Sequence, residues 1–365
     1  MVNSSMAVRL KDIARDLGVS VITVSKALRD HSDISDETKA RVLKRCKELN
    51  YRPNLAARAL VTGHSNLIGF VVPDILHSFF SEIVRAVSAS LQGTGYTLVT
   101  ASSEQDAKLE KQAVEQLIAR GVDALLIAST QSTADMFRRV EEAGIPYILI
   151  DRNFAGLASH FIGVNDEEVG ALATRHLAEV GCKRIAHIGG TGLSPVVGRM
   201  EGYKRALSKL RLTADPQLVF NAALVEELGD ATGYAATARL LHLQPRPDGI
   251  FCYNDPVAIG AMKAIFEAGL KVPDDISVVG AGNVHYSDML RVPLTTVDQG
   301  TSRMGTRGAE LVMERIAAKR MLRSKRVLIP PKLVVRKSTQ RHAGSPIISL
   351  SGAMFRESTL QEKET

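Results

Sequence analysis

Charged and amide side chains stand just after several apolar runs of this 365-residue chain, and binding a small polar ligand is the chemistry that they suit. Asp151-Arg152-Asn153 follows the run YILI, and Asn254-Asp255 follows the run GIFCY. Arg199 comes after the glycine-rich stretch that follows the run RIAHI. If these runs are parallel strands, their carboxyl ends meet at one edge of a sheet, where α/β proteins bind ligands. Singly, each group fits a helix cap or a surface position better than a ligand contact, and Asp255 in particular suits a cap. Together they predict a ligand-binding cleft.

The glycine-rich stretch HIGGTGLSP, residues 187–195, invites a nucleotide-binding interpretation, but its spacing disagrees. Gly190 and Gly192 are followed by Pro195 instead of the third glycine of the dinucleotide fingerprint. An acidic residue at the expected distance, with a strand before it, is also missing. We therefore predict that this stretch binds no cofactor.

Metal and nucleophile patterns are weaker still. His176, Cys182 and His187 are donor types that bind metals, but they do not share one predicted element, and structural roles are the expectation. No Ser-His-Asp or paired-carboxylate set stands out, although a triad assembled in space need not show in a sequence. The sequence predicts a protein that is not an enzyme, with no catalytic residue, no metal site and no cofactor.

Basic residues are concentrated near both ends of the chain. The formal charge is +7, and residues 1–62 hold 12 Lys and Arg against 7 Asp and Glu. Phosphate contacts of Lys and Arg release counterions, so this basic segment favours a nucleic-acid partner. Residues 319–342 hold nine Lys and Arg and no acid. A solvated helix end with its loop is the favoured interpretation of that run, and a second DNA surface is the alternative.

The remaining composition is typical of a cytoplasmic protein. No apolar run has membrane-spanning length, and the first 20 residues lack the basic and apolar segments of a signal peptide. The three cysteines are too few for a disulfide framework and fit a reducing compartment. We expect a cytoplasmic location and no membrane partner.

The stretch DIARDLGVSVITVSKAL predicts two short helices that meet at Gly18, where a positive φ ends the first one. Ser20 is a good N-cap for the second helix, and Ser35 for a third. This is either a helix-turn-helix or a small bundle that merely caps another domain. The side chains expected to pack between the first two helices are Ile13, Ala14, Leu17, Val24, Ala27 and Leu28. The outward face of the second helix carries Val21, Ile22, Ser25, Lys26 and Arg29.

The stretch RPNLAARALVTGHSN after Tyr51 predicts one short helix that Gly63 ends. A helix of this length is unstable alone in water. It is therefore either a flexible linker or a helix that forms only against a partner.

Strand and helix patterns alternate along the long body of the chain. Apolar runs predict buried strands at LIGFVV, YTLVTA, ALLIA, YILI, FIGV, RIAHI, GIFCY and SVVGA. Amphipathic patterns predict helices at Glu82–Leu91, Lys108–Arg120, Glu167–Val180, Met200–Leu210 and Val257–Ala268. This alternation predicts parallel sheets covered on both faces. About 270 residues of it exceed one such sheet, so two lobes are expected.

The segment RLKDIARDLGVSVITVSKALRDHSDISDETKARVLKRCKELNYRPNLAARAL resembles the DNA-binding headpiece of the LacI/GalR family of bacterial transcription regulators. The motifs GVS-xx-TVS, LNY-x-PN and A-R-x-L stand in register, and their combination is highly specific. The resemblance continues to about residue 340 and implies a periplasmic-binding-protein-like effector domain of two lobes. It implies a headpiece at 1–52, a hinge helix and linker at 53–64, and a ligand-binding and dimerisation domain at 65–340. We expect a disordered tail at 341–365.

Three chain crossings between the lobes are implied near Val164, Val297 and Val327. The first lobe then comprises about 65–164 and 297–327, and the second about 165–296 and 328–340. The predicted fold class is thus an all-α helix-turn-helix headpiece followed by an α/β two-lobed domain.

The resemblance also implies which residues contact DNA. Val21, Ile22 and Lys26 take the positions at which the family reads base edges, and apolar side chains there can contact the thymine methyl group. Many members have Arg where this chain has Lys26, and lysine lacks the planar fork of arginine. A leucine at the position of Leu60 wedges into the minor groove, which makes the hinge a second DNA contact. The full implied set is Ser20, Val21, Ile22, Thr23, Ser25, Lys26, Arg29, Tyr51, Asn54, Arg58 and Leu60.

In the family, the effector cleft is lined at the positions of Phe79, Arg152, Asn165, Arg199, Asn254 and Gln299. Arg199 matches an arginine that anchors the ligand, and Phe79 is placed to stack on an apolar face of it. Gly282 replaces an aspartate that accepts hydrogen bonds from sugar hydroxyls, and Asn165-Asp166 reverses the usual order. The effector is either a neutral sugar or an acidic or phosphorylated sugar, and the sequence does not decide between these two classes. An aspartate restored at position 282 is expected to improve neutral-sugar binding.

These observations predict a homodimeric, sequence-specific DNA-binding regulator, a repressor of a catabolic operon that a small-molecule effector controls. Each headpiece would bind one half of a palindromic double-stranded operator. A solute-binding protein shares the two-lobed body but needs export, and a doubly wound enzyme needs a nucleotide fingerprint or a nucleophile. The lack of a terminal leucine heptad favours a dimer over a tetramer.

Overall fold

The computed structural model describes residues 8–51, 59, 63–190, 192–222, 229–318 and 323–341. The chain divides into two compact units, Met1–Ser65 and Asn66–Thr365. Within the described ranges, none of the helices combines the length and apolar character needed to span a membrane.

The first unit is built from three helices within residues 8–51: α1 (Leu10–Leu17), α2 (Val21–Ala27) and α3 (Asp36–Glu48). Gly18 ends α1 with φ of 67°. Ser20 and Ser35 cap the next two helices by accepting the backbone N–H three residues ahead. Both caps and the glycine turn are confirmed. The buried core of the unit consists of Ile13, Ala14, Val24, Ala27, Val42 and Cys46.

The described part of the second unit contains two six-stranded sheets. The first sheet has the order β11-β5-β4-β3-β1-β2, and all of its strand pairs are parallel. The second has the order β12-β10-β9-β8-β6-β7, in which only β12 runs antiparallel to its neighbour. The strands are β1 (Leu67–Val72), β2 (Thr97–Ser102), β3 (Ala124–Ile127), β4 (Tyr147–Ile150), β5 (His160–Val164), β6 (Ile185–Gly190), β7 (Val219–Ala222), β8 (Gly249–Cys252), β9 (Ser277–Ala281), β10 (Thr295–Asp298), β11 (Arg326–Ile329) and β12 (Lys332–Val334).

Helices cover both faces of each sheet, which is why the central strands are apolar on both sides. The first sheet packs against α4 (Ser78–Ser90), α5 (Ala107–Ala119), α6 (Asp135–Glu142) and α11 (Thr301–Ala317). The second packs against α7 (Asp166–Glu179), α8 (Ser194–Lys209), α9 (Gly229–Leu241) and α10 (Asp255–Glu267).

Sheet membership along the chain changes three times. It passes from the first sheet to the second after β5, returns after β10 through α11, and passes to the second again between β11 and β12. All eight predicted strands are confirmed within a residue or two. The sequence did not predict β7, β10, β11 or β12, which are short and lie at or near the sheet edges or crossings.

Candidate functional site

The outward face of α2 carries apolar side chains in solvent. The side chain of Val24 is fully buried against α1, whereas Val21 and Ile22 are 44% and 68% exposed. The Ser20 hydroxyl accepts the Thr23 N–H at 3.0 Å, which fixes the first turn and the direction of both exposed side chains. Exposed apolar groups beside basic ones on a short helix suit a surface that reads base edges.

The other predicted DNA contacts fall into four groups. The hydroxyl oxygens of Ser20 and Thr23 are hydrogen-bonded to each other at 2.8 Å within the N-cap of α2, so both side chains have a local structural role. Arg29 donates from Nε to the Ser25 carbonyl at 3.1 Å, and Lys26 donates to a carboxylate of the same unit. Tyr51 packs half-buried against the headpiece core. Asn54, Arg58 and Leu60 lie outside the described residues.

A small cavity lies between the carboxyl ends of the two sheets. Its volume is about 20 Å³, which is room for about one water molecule. Four of the six predicted effector residues line it: Phe79, Arg199, Asn254 and Gln299. Asp151, which the strand-end argument also predicted for the cleft, lines it as well, whereas His77, Phe80, Tyr253 and Ala281 were not predicted. Phe80 and Tyr253 directly adjoin a predicted effector residue and Ala281 ends a predicted strand, which was the one available signal.

Arg199 lines the cleft from the second lobe and is 3% exposed. Its Nε donates to Asp166 Oδ1 at 3.0 Å, and its two terminal nitrogens donate to the Tyr253 carbonyl at 2.6 Å and to Gln299 Oε1 at 2.8 Å. The guanidinium also lies over the Tyr253 ring, 4.6 Å from its centroid. Because its donors point in three directions, the side chain ties α7, β8 and the end of β10 together.

Asp166 is the carboxylate that balances this arginine. Its side chain is only 12% exposed, and burial raises its pKa to about 7, although Arg199 opposes the shift. Asp151 adds negative charge nearby and pushes the pKa in the same direction as burial. Burial thus opposes ionisation of this carboxyl group, and the group gains and loses its proton around neutral pH.

Two predicted effector residues lie apart from the cavity wall. Arg152 is buried in the first lobe, where Nη1 donates to Gln105 Oε1 at 3.2 Å and to the Ser129 carbonyl at 3.3 Å. Its guanidinium lies over the Phe80 ring, 5.5 Å from the centroid, so Arg152 is separated from the cavity by only this one lining side chain. Asn165 is exposed and caps α7 by accepting the Glu168 N–H at 3.3 Å. The next residue along, Asp166, is the one that reaches Arg199.

The suggested capping role of Asp255 is wrong. Asn254 caps α10, because its Oδ1 accepts the Val257 N–H at 3.0 Å. Asp255 is buried and accepts hydrogen bonds from the Val284 N–H, the Ser287 hydroxyl and the Thr296 hydroxyl. Burial raises the pKa of this carboxyl, and these three donors act against the rise.

Gly282 adopts φ of 136°, a backbone conformation that side chains with a Cβ rarely take. A Cβ built there would stand 3.7 Å from Asp255 Oδ2. An aspartate at position 282 would thus be strained and would face an existing carboxylate. This geometry removes the reason for expecting better sugar binding from that substitution.

Close packing of α7 on α8 fixes the backbone beneath Arg199. A Cβ at Gly170 would lie 2.1 Å from the Arg199 carbonyl oxygen, and one at Gly202 would lie 2.0 Å from the Glu167 carbonyl oxygen. Reciprocal glycines allow the two helix backbones to approach closely. The position of Arg199 therefore depends on a pair of glycines that touch no ligand.

The remaining candidate groups have structural partners. His176 Nε2 bonds to Thr339 Oγ1 at 2.8 Å, Cys182 Sγ to the Asp248 carbonyl at 3.3 Å, and His187 Nδ1 to the Phe251 carbonyl at 3.0 Å. In the basic run, Arg336 donates to Leu294 and Asn283, and Arg341 donates to Asp248 and Ser277. These two arginines hold the end of the described chain to the second lobe.

Two family profiles match the chain. One described as bacterial regulatory proteins, lacI family, matches residues 9–54, and one described as periplasmic binding protein-like domain matches residues 174–339. The chain is 35% identical over 337 residues to the HTH-type transcriptional repressor PurR of Mannheimia succiniciproducens, which is 92% of this chain and 99% of that protein. It is 34% identical to the ribose operon repressor of Halalkalibacterium halodurans, over 91% of this chain and 97% of that one.

Solved structures show the same architecture. The lac repressor dimer bound to operator and the anti-inducer ONPF has a TM-score of 0.81 at 28% identity and covers 91% of this chain and 99% of its own. The complex of the transcriptional regulator CelR with cellobiose has a TM-score of 0.69 at 27% identity, with the same coverage.

Proposed function

Because this chain belongs to the LacI family of bacterial regulatory proteins, we propose that it is a cytoplasmic, homodimeric repressor of a catabolic operon. It binds a palindromic operator through its headpieces and an effector between its two lobes. Strand membership supports the division into lobes at about 65–164 with 297–327 and 165–296 with 328–340. The headpiece at 1–52, the hinge helix at 53–64 and the Leu60 wedge stay predictions.

The exposed apolar pair Val21 and Ile22 on the capped α2 carries the proposal of sequence-specific binding. Selection of bound sequences from random duplex DNA by the purified chain, near physiological salt, tests it. A palindrome with a flexible pyrimidine–purine step at its centre is the expected result. If the chain binds DNA without sequence preference, both alone and with candidate sugars added, specific recognition is refuted.

The charge balance of the cleft favours an uncharged effector over an acidic or phosphorylated one. Arg199 is already paired with Asp166 at 3.0 Å, and Arg152 Nε lies 3.9 Å from Asp151 Oδ2. An anion entering this cleft would be desolvated beside Asp151 and Asp166, and it would have to displace Asp166 from Arg199. A neutral polyol can exchange hydrogen bonds with Arg199, Asn254 and Gln299 while Phe79 packs on its apolar face.

Thermal melting of the full chain with matched ligands tests the charge argument. D-ribose and cellobiose serve as neutral probes, since relatives are named for ribose and bound to cellobiose. The sugar acid and the phosphate ester of each of these two sugars serve as its anionic counterparts. A neutral sugar should raise the melting temperature more than its anionic partner does. The reverse order for every matched pair would contradict the proposed ligand class.

A second copy of the chain is the proposed occupant of an apolar surface on the second unit. Two adjoining grooves of about 350 and 440 Å³ share Ile259 in their lining. Leu76, at the edge of one groove, is 83% exposed. Contiguous exposed apolar surface marks protein interfaces. Leu76→Asp should give monomers in sedimentation, whereas Leu109→Asp, at an exposed site on α5 outside both grooves, should leave the dimer intact. A dimeric Leu76→Asp variant would refute this surface.

Linkage gives the regulatory proposal a quantitative test. If an effector weakens operator binding, the operator complex must bind that effector more weakly by the same factor. Titration of the effector into the free protein and into the operator complex measures both affinities. Equal affinities would rule out effector control of operator binding.

A further inference from the structure

The headpiece contains an acidic residue in contact with a predicted base-reading side chain. Lys26 Nζ donates to Asp33 Oδ2, and the other carboxylate oxygen of Asp33 lies 2.7 Å from His31 Nδ1. The Lys26 and Asp33 side chains are 34% and 46% exposed, so the pair lies at the surface. It joins the last turn of α2 to the loop before α3.

The loop that carries Asp33 is itself fixed on the end of α2. The Lys26 carbonyl accepts the His31 N–H at 3.1 Å, and the His31 carbonyl accepts the Ile34 N–H at 3.3 Å. Ser35, two residues after Asp33, is the N-cap of α3. The carboxylate is therefore presented from an ordered turn rather than from a mobile loop. Its pKa is lowered, chiefly by the hydrogen bond from Lys26, so it is ionised at neutral pH.

Lysine needs such support more than arginine would. Its ammonium moves on a four-carbon stem with three rotatable donors, whereas the guanidinium of arginine is a rigid fork. Lys26 lies one helical turn after Ile22, so the two share the outward face of α2. When one N–H of the Lys26 ammonium donates to Asp33, the other two can donate to O6 and N7 of a guanine.

We propose that Asp33 is a positioning residue for base recognition, which holds the Lys26 ammonium on the outward face of α2 toward a guanine edge. The inference rests on the proposed DNA-binding function. In solution the exposed pair contributes little to stability. At the DNA surface the same pair becomes desolvated, and its geometry then sets which base Lys26 can reach.

Asp30 provides a matched control in the same headpiece. It pairs with Lys39 at 2.7 Å, is 88% exposed and lies outside the outward face of α2. Its φ of 53° is a conformation that asparagine also accepts. Asp30→Asn and Asp33→Asn each remove one negative charge, so they change the general attraction to phosphates equally.

The experiment compares the affinities of the full chain for its selected operator and for a scrambled duplex of equal length, at one salt concentration. Asp30→Asn should strengthen both and leave their ratio unchanged. Asp33→Asn should lower the ratio by about tenfold, the loss expected for one good base contact. Repeated selection with Asp33→Asn should show relaxed preference at one symmetry-related pair of positions, while a merely structural defect would relax all of them.

A double-mutant cycle assigns the effect to Lys26. In a Lys26→Met background, Asp33→Asn should change the ratio no further. The inference fails if Asp33→Asn leaves the ratio unchanged as Asp30→Asn does, or if its effect on the ratio persists in the Lys26→Met background. A wild-type chain that prefers no duplex at all would instead refute the DNA-binding function itself. Circular dichroism melts of the two Asn variants should coincide, which excludes unfolding as the cause.

Discussion

Replacing Asp166 by asparagine should stabilise the protein in a pH-dependent manner. The asparagine oxygen can still accept from Arg199 Nε, which lies 3.0 Å from Asp166 Oδ1, but the side chain no longer ionises. Burial raises the pKa of Asp166 from 3.8 to about 7. The folded state therefore binds this proton more tightly than the unfolded chain does, and ionisation opposes folding.

The size of the effect follows from that shift. About three pKa units correspond to about 4 kcal/mol, at about 1.4 kcal/mol per unit. The free energy of unfolding of the wild type should fall as pH rises from about 4 to 7 and then level off. Asp166→Asn lacks this fall. The variant should match the wild type near pH 4 and exceed it by up to about 4 kcal/mol at pH 8.

Urea unfolding of the full chain across pH 4–8.5 measures the difference between the two proteins. Glu168→Gln is the matched control, since it removes the same charge from the same helix at an exposed pair with Arg175. That variant should differ from wild type by no more than about 0.5 kcal/mol at any pH. A pH-independent difference for Asp166→Asn, or a loss of stability at pH 8, would show that Arg199 keeps the carboxylate ionised and that the raised pKa is wrong.

Three further substitutions test the two binding surfaces. Ile22→Ala should change the free energy of unfolding by less than about 0.5 kcal/mol, because the side chain is 68% exposed. In selection from random DNA, the variant should show a weaker preference for particular T·A pairs. An unchanged preference would mean that Ile22 does not contact the bases. Gly170→Ala should destabilise the chain by about 1–3 kcal/mol, since its Cβ would lie 2.1 Å from the Arg199 carbonyl, and should weaken effector binding. Calorimetry would contradict the latter if affinity were unchanged. Gly282→Ala should cost about 1–3 kcal/mol in chemical unfolding because of φ of 136°, and a neutral result would show that the loop relaxes easily.

Local features of the fold were predictable because they depend on neighbours in sequence. The cap at Ser20 and the turn at Gly18 follow from side-chain and backbone chemistry within three residues. Continuous apolar runs such as LIGFVV became central strands because both sheet faces are covered. The short strands β10 and β12 depend on pairing across the second sheet, which the local pattern does not encode.

The cleft was predictable only in part. Arg199 was expected there from its place after a strand and from the family pattern, but its partner Asp166 was not. The sequence offers Asn165 and Asp166 as equally good caps for α7, and a one-residue choice decides which of them faces the cleft. The charge balance follows from that choice together with side chains that only the folded lobes bring within reach, such as Asp151.

The small volume between the lobes has a kinetic consequence. A space of about 20 Å³ does not accommodate a sugar, so the side chains that line it must move apart before a ligand can bind there. Association then includes an opening step that the ligand does not accelerate. At high ligand concentration the observed rate of binding would reach a plateau equal to the opening rate, well below the diffusion limit. Under the proposed function, the speed of the response to an effector would thus be limited by this opening step rather than by the supply of ligand.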